Sequence, residues 1–143
     1  MWTDTHLHLD ASEYDSDRLE VVQRAQVLNV TRFVLPAVGA FNFDAVKRLA
    51  HDIPGAVYCL GIHPVFVDRA HDNDLQTLQQ KIRESLNDPK FAGIGEIGLD
   101  GFVPGLNWDR QVMFFNAQLK IARDFDLPLV YYFLLLVPMH SRQ

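Results

Sequence analysis

A single cysteine, Cys59, is present among 143 residues, so no disulfide can form within the chain and a zinc site of the Cys-x-x-Cys type is excluded. Basic residues are also in the minority: 13 Lys and Arg stand against 18 Asp and Glu, for a formal net charge of −5. A nucleic-acid binder that works by charge alone carries a basic patch or a high isoelectric point. None is visible, so any phosphate chemistry has to use bound cations. The apolar run at residues 127–137 contains Pro128 and falls short of the ~20 residues that a membrane helix needs. It reads as a buried strand, and no membrane partner is expected. No basic segment followed by an apolar run opens the chain, so no signal peptide is expected and a cytoplasmic location is the default.

What is there suits an ordinary globular domain: 48% of residues are hydrophobic and 22% charged, enough apolar material to build a core. Apolar runs alternate with helical patterns. Strands are expected at residues 2–9, 31–37, 56–62, 91–97 and 129–137. Between them the periodicity predicts helices at 15–28, 43–51, 74–86 and 108–125. The first should bury Leu19, Val22, Ala25 and Leu28, and the third Leu75, Leu78, Ile82 and Leu86. Cys59, inside Ala56-Val57-Tyr58-Cys59-Leu60, reads as inert core. Five near-continuously apolar strands separated by four helices imply right-handed βαβ units and a parallel α/β sheet. Two architectures fit: an open doubly wound sheet, or the first half of a (β/α)8 barrel. A whole barrel takes ~250 residues.

In either architecture the chemistry sits at the C-terminal ends of the strands. Strand one ends in Asp4-Thr5-His6-Leu7-His8-Leu9-Asp10. Residues i and i+2 of a strand share a face, so His6 and His8 project together, as a pair of ligands for one divalent cation would. The bland alternative is two histidines satisfied by hydrogen bonds in the core. Strand three ends in Gly61-Ile62-His63-Pro64, and strand four in Gly93-Ile94-Gly95-Glu96-Ile97-Gly98-Leu99-Asp100. A carboxylate in so apolar a setting is costly unless a cation pairs with it. Glu96 could bridge two cations or take part in a buried ion pair. His63 could face a substrate or simply be a turn histidine fixed by Pro64. Asp10 and Asp100 could support the ligands or close turns.

These three segments, in this order, resemble successive signatures of the TatD-related metal-dependent deoxyribonucleases. Gln111, Phe114, Gln118-Leu119 and Ala122 followed by Leu127-Pro128 resemble that family's next helix and strand entry. The resemblance covers residues 1–130 and implies a metal-dependent hydrolase on a parallel (β/α)8 barrel, here truncated to about five strands and four helices. It implies two divalent cations (Mg, Mn or Zn) and hydrolysis of phosphodiester bonds in DNA. On that model His6 and His8 hold one cation, and Glu96 is both metal ligand and catalytic group, bridging to the second. His63 lies beside the substrate phosphate, with Asp10 and Asp100 behind the ligands. The wider amidohydrolases also use His-x-His on a first strand to cleave C–N bonds, but the Gly-Glu-Ile-Gly-Leu-Asp segment argues against them.

The resemblance ends near Val130. Tyr132 stands where the family places a ligating histidine, and a neutral phenol is a poor replacement for imidazole. Residues 131–143 form a divergent apolar tail in which His140 is a weak stand-in for a later ligand. A frameshift or early termination would account for this, leaving an incomplete site or an inactive interaction fragment. A half barrel would also expose two sheet edges, from which self-association is expected.

Overall fold

The computed structural model describes residues 1–135, so His140 and the end of the expected fifth strand lie outside the described residues. Five strands and four α-helices alternate: β1 (Trp2–Asp4), α1 (Arg18–Val27), β2 (Val30–Pro36), α2 (Phe43–Asp52), β3 (Ala56–Leu60), α3 (Asp74–Ser85), β4 (Phe91–Asp100), α4 (Trp108–Phe125) and β5 (Leu129–Leu134). All neighbouring strands pair in parallel, in the order β1-β2-β3-β4-β5. That order decides between the two architectures. A doubly wound sheet reverses direction at a switch point, whereas here each strand adds to the same side of its predecessor, as in a barrel.

The sheet and helices share one core. Phe33 and Leu35 of β2, Tyr58 and Leu60 of β3, and Ile94 and Ile97 of β4 meet Val46 and Ala50 of α2, Leu78 and Ile82 of α3, and Phe114 of α4. Burying a Leu, Ile or Phe side chain contributes roughly 1.5–3 kcal/mol, so this layer dominates stability. Gly98 shows how tightly the strands approach: its φ is +149°, and a Cβ there would lie 1.7 Å from the Tyr132 carbonyl oxygen of β5. Any side chain at Gly98 would force β5 off the sheet.

Several expectations need correction. β1 stops at Asp4 rather than residue 9. It pairs on one side only, and past Asp4 the backbone stays tied to β2 through the Leu7 N–H, which donates to the Val34 carbonyl at 3.0 Å. In α1, Val22 is buried but Leu19 and Leu28 are 64% and 73% exposed. Steps of three residues drift by about 60° each around a helix, so four such residues cannot share one narrow face. Leu86 likewise falls just past α3 and is exposed. β3 ends at Leu60, releasing Ile62 into the turn, while β4 continues to Asp100. Three short 3-10 turns, at Ser12–Tyr14, Ala40–Asn42 and Pro64–Arg69, were not foreseen. They follow the sheet's C-terminal edge and line the site. Cys59 is buried as expected, and burial pushes its thiol up to about 12. Among the described residues no helix is long and apolar enough to cross a membrane.

Candidate metal centre

His6 and His8 follow β1, and Glu96 sits within β4. Two strands separate β1 from β4, which in a flat sheet puts them about 14 Å apart. Yet His6 Nε2 lies 2.9 Å from Glu96 Oε2, and His8 Nε2 lies 3.2 Å from the same oxygen. Only a sheet curled into a barrel arc brings them together. The backbone follows the same curl: the Glu96 N–H donates to the Ala37 carbonyl at 2.8 Å and the His63 N–H to the Val38 carbonyl at 2.9 Å.

The two imidazoles also face each other, with Nε2 atoms 3.1 Å apart. Glu96 is 1% exposed, while both histidines open toward solvent. Burial alone would push the Glu96 carboxyl up, but the hydrogen bond with His8 and the nearby charges of His63, His6 and His8 outweigh it and hold it down. The His8 imidazole is raised, chiefly by its hydrogen bond to Glu96 against the pull of burial, with help from the charge of Asp10.

This donor set fits a divalent cation. Two neutral imidazole nitrogens and a carboxylate oxygen are ordinary ligands for zinc-like metals. Ligand atoms held at about 2 Å from one ion stand about 3 Å from each other, which is the spacing found among His6, His8 and Glu96. No other cluster of three His, Cys, Asp or Glu side chains with that closeness occurs among the described residues.

His63 is fixed in its turn, and its other ring nitrogen faces the cluster. Its Nδ1 accepts from the Val65 N–H at 3.2 Å and so caps the Pro64–Arg69 turn. The proton then belongs on Nε2, which faces Glu96 Oε1 at 3.6 Å. Burial pulls this imidazole below its usual value, favouring the neutral form. Asp10 and Asp100 lie behind the cluster. Asp10 accepts from the Asn42 side-chain amide at 2.8 Å, and Asn42 in turn accepts from the N–H groups of Val38 and Gly39. Asp100 is buried and accepts from the N–H groups of Phe102 and Val103, both at 2.8 Å, closing the turn after β4. Tyr132 lies within β5 with its ring centroid 5.1 Å from that of His63. Burial, followed by the charge of Asp100, raises its phenol, so it stays protonated.

Three supports escaped the sequence reading as parts of the site. Gln118 clamps the backbone just before His63, accepting from the Ile62 N–H at 2.7 Å and donating to the Ile62 carbonyl at 3.1 Å. Gln111 holds Asp100 in the same way, at 2.8 and 3.0 Å. The available signal was two amides, seven residues apart, on the buried stripe of α4. Asn42 gave a weaker one, a polar residue just ahead of a helix.

A curled parallel sheet that carries His-x-His and a buried glutamate on its C-terminal rim defines a half barrel with a candidate metal centre. More particularly, the model of the family described as TatD related DNase matches residues 3–132, and the chain belongs to that family. It is 34% identical over 140 residues to an uncharacterized metal-dependent hydrolase, YjjV, of Escherichia coli K12, covering 98% of this chain and 50% of that protein. A putative deoxyribonuclease, tatdn3, of Danio rerio is 34% identical over 97% of this chain and 52% of its own length. The 3'-5' ssDNA/RNA exonuclease TatD of a Rahnella strain is 32% identical over 85% and 45%. The crystal structure of Escherichia coli YjjV superposes with a TM-score of 0.85 at 34% identity, over 91% of this chain and 49% of the other. The chain thus spans about half the length of the relatives it matches.

Proposed function

We propose that this chain supplies the His-x-His and glutamate side of a two-cation centre that hydrolyses phosphodiester bonds in DNA or related nucleic acid. The observation that carries the reading is the triangle of His6 Nε2, His8 Nε2 and buried Glu96 Oε2. His6, His8 and Glu96 would hold one cation, and Glu96 Oε1, turned toward His63, would reach a second. Bound divalent cations polarise a phosphoryl oxygen and make water a nucleophile near neutral pH. Around them, Glu96 contributes negative charge that offsets the ions, and His63 offers an Nε2–H to a phosphate oxygen. The net charge of −5 suits a site that recognises phosphate through metal rather than through lysines.

Tyr132 sets the expected strength. A protonated phenol beside His63 is a poor ligand, so the 143-residue chain should bind a second cation weakly and cleave DNA slowly. We further propose that the apolar outer face of β5, where Tyr131 and Phe133 are 62% and 45% exposed, drives self-association. Elemental analysis and a single-stranded and duplex DNA cleavage assay, run on the parent, His6→Ala and Tyr132→His, test the site. The expected result is bound metal in the parent, its loss in His6→Ala, and a gain of metal and cleavage in Tyr132→His. Metal content unchanged by His6→Ala would sink the assignment, and a clean monomer in light scattering would sink self-association.

A further inference from the structure

Next to the metal cluster runs a cleft of about 710 Å³ whose Phe41 and Phe66 side has no part in the site described above. Its size lies within the range of small-ligand sites, roughly 300–1,000 Å³. His8 and His63 border it on the metal side, so the cleft and the cluster are continuous. Phe41 and Phe66 form its apolar wall, with ring centroids 5.6 Å apart, and Phe66 packs at 6.2 Å from the His63 ring.

Phe41 projects for a local reason. It sits in the middle of the Ala40–Asn42 turn, whose next residues, Asn42 and Phe43, are buried. The ring therefore points outward and is 72% exposed, while Phe66 is half-buried behind it. Its path also crosses Gly39, where a Cβ would meet Phe41 Cε1 at 2.5 Å. The ring thus lies where only a residue without a side chain leaves room.

The charge of the cleft states which part of a nucleotide belongs there. Asp10 and Glu13 line it, and no lysine or arginine does. Phosphate would be repelled from such walls, whereas an uncharged aromatic ring would not. We propose that Phe41 and Phe66 are a stacking platform for an unpaired nucleobase of a single-stranded substrate, which sets the adjoining phosphodiester over His6, His8 and Glu96. This rests on the phosphodiesterase reading for its substrate class. A base inside a duplex is already stacked on its neighbours and cannot offer its face to the platform, so single strands or frayed ends are selected.

The test uses the full chain with divalent cation present and a cleavage-resistant phosphorothioate single-stranded oligonucleotide carrying 2-aminopurine at its 3′ end. Binding should quench the probe. Phe41→Ala should weaken binding about tenfold, the scale of one lost base–aromatic stack, and remove the quench. Phe41→Trp should keep both, and Gly39→Ala, which displaces the ring, should fall between. A strand of equal length with an abasic 3′ end should bind Phe41→Ala and parent alike. Parent-like quenching in Phe41→Ala and Phe66→Ala, or no binding by the parent, would overturn the platform. Calorimetric binding of divalent metal serves as the separate readout: it should be unchanged in Phe41→Ala. Loss of the phosphodiesterase reading would show instead as metal binding indifferent to His6→Ala, with the quench intact.

Discussion

Two carboxylates meet histidines at opposite ends of the same sheet, and they do so differently. At the N-terminal end Asp88 accepts from His51 at 2.9 Å, from the Tyr58 hydroxyl at 2.9 Å and from the Lys90 N–H at 2.9 Å. Tyr58 can then accept from Ser85, 3.0 Å away. Each donor has one acceptor, and the network closes. At the C-terminal end Glu96, His6 and His8 form a triangle in which three polar atoms all face one another. Two neutral imidazoles cannot place protons along all three edges at once, whereas one central cation satisfies all three. A satisfied network suits stability, and a frustrated one suits a ligand. The contrast matches the usual division of a barrel, with stability at the bottom and chemistry at the top.

The largest effect that would break this contrast is on metal. Glu96→Gln should lower affinity for zinc or manganese at least about 100-fold, since losing even an outer supporting group costs about 10–100-fold. Its melting temperature should fall modestly, because a carboxyl held down on folding contributes stability when ionised. A fall in stability with metal affinity intact would mean that Glu96 is a structural ion pair like Asp88. The converse substitution, Asp88→Asn, should cost about 2–3 kcal/mol, through hydrogen bonds made to a charged acceptor. Chemical denaturation measures this, and calorimetry should find metal binding unaltered.

Gln118→Leu sharpens the comparison, because it is a stability residue at the metal end. It leaves the Ile62 N–H and carbonyl unpartnered in a buried setting, at a cost of about 1–2 kcal/mol. The His63 backbone is freed as well, so the histidine's NMR signals should broaden or shift while those of His51 stay put. Equal disturbance of both histidines would show global loosening rather than a local clamp.

Much of this was legible in the sequence, for reasons that differ by element. The extent of α4 matches the 108–125 expected from periodicity, and the structure shows it bounded by Asn107, which accepts from the Arg110 N–H at 3.0 Å, and by Leu127-Pro128. The pairing of His6 with His8 followed from their spacing, although β1 ends before them. That Glu96 joins them did not follow from spacing. It depends on the curl of four strands, which no local pattern encodes; the family resemblance implied it. Asn42, Gln111 and Gln118 act on backbone far away in sequence and left only the weak trace of amides at buried positions. The Asp88 network was illegible, since Tyr58, Ser85 and His51 come from three elements, Asp88 from the turn before β4, and none is unusual alone.

The smallest expected effect separates the two ends by acid. Asp88 is held at about 2, although burial opposes its ionisation, because His51, the Lys90 N–H and Tyr58 all hydrogen-bond its charged form. A carboxyl lowered on folding contributes stability that is fully present above its unfolded value, about 3.9. That stability drains away as pH falls from there toward the folded value of about 2. With the partial solvent exposure of His51 taken into account, the contribution is on the order of 1 kcal/mol. Glu96 is lowered too, so acid removes stability at both ends of the parent. Subtraction separates them: the parent-minus-Asp88→Asn difference in unfolding free energy should shrink between about pH 4 and pH 2. The same subtraction with Glu96→Gln reports the metal end. A difference for Asp88→Asn that stays constant with pH would mean that its ionised form is not what the N-terminal network recognises, and the two carboxylates would then differ in position alone.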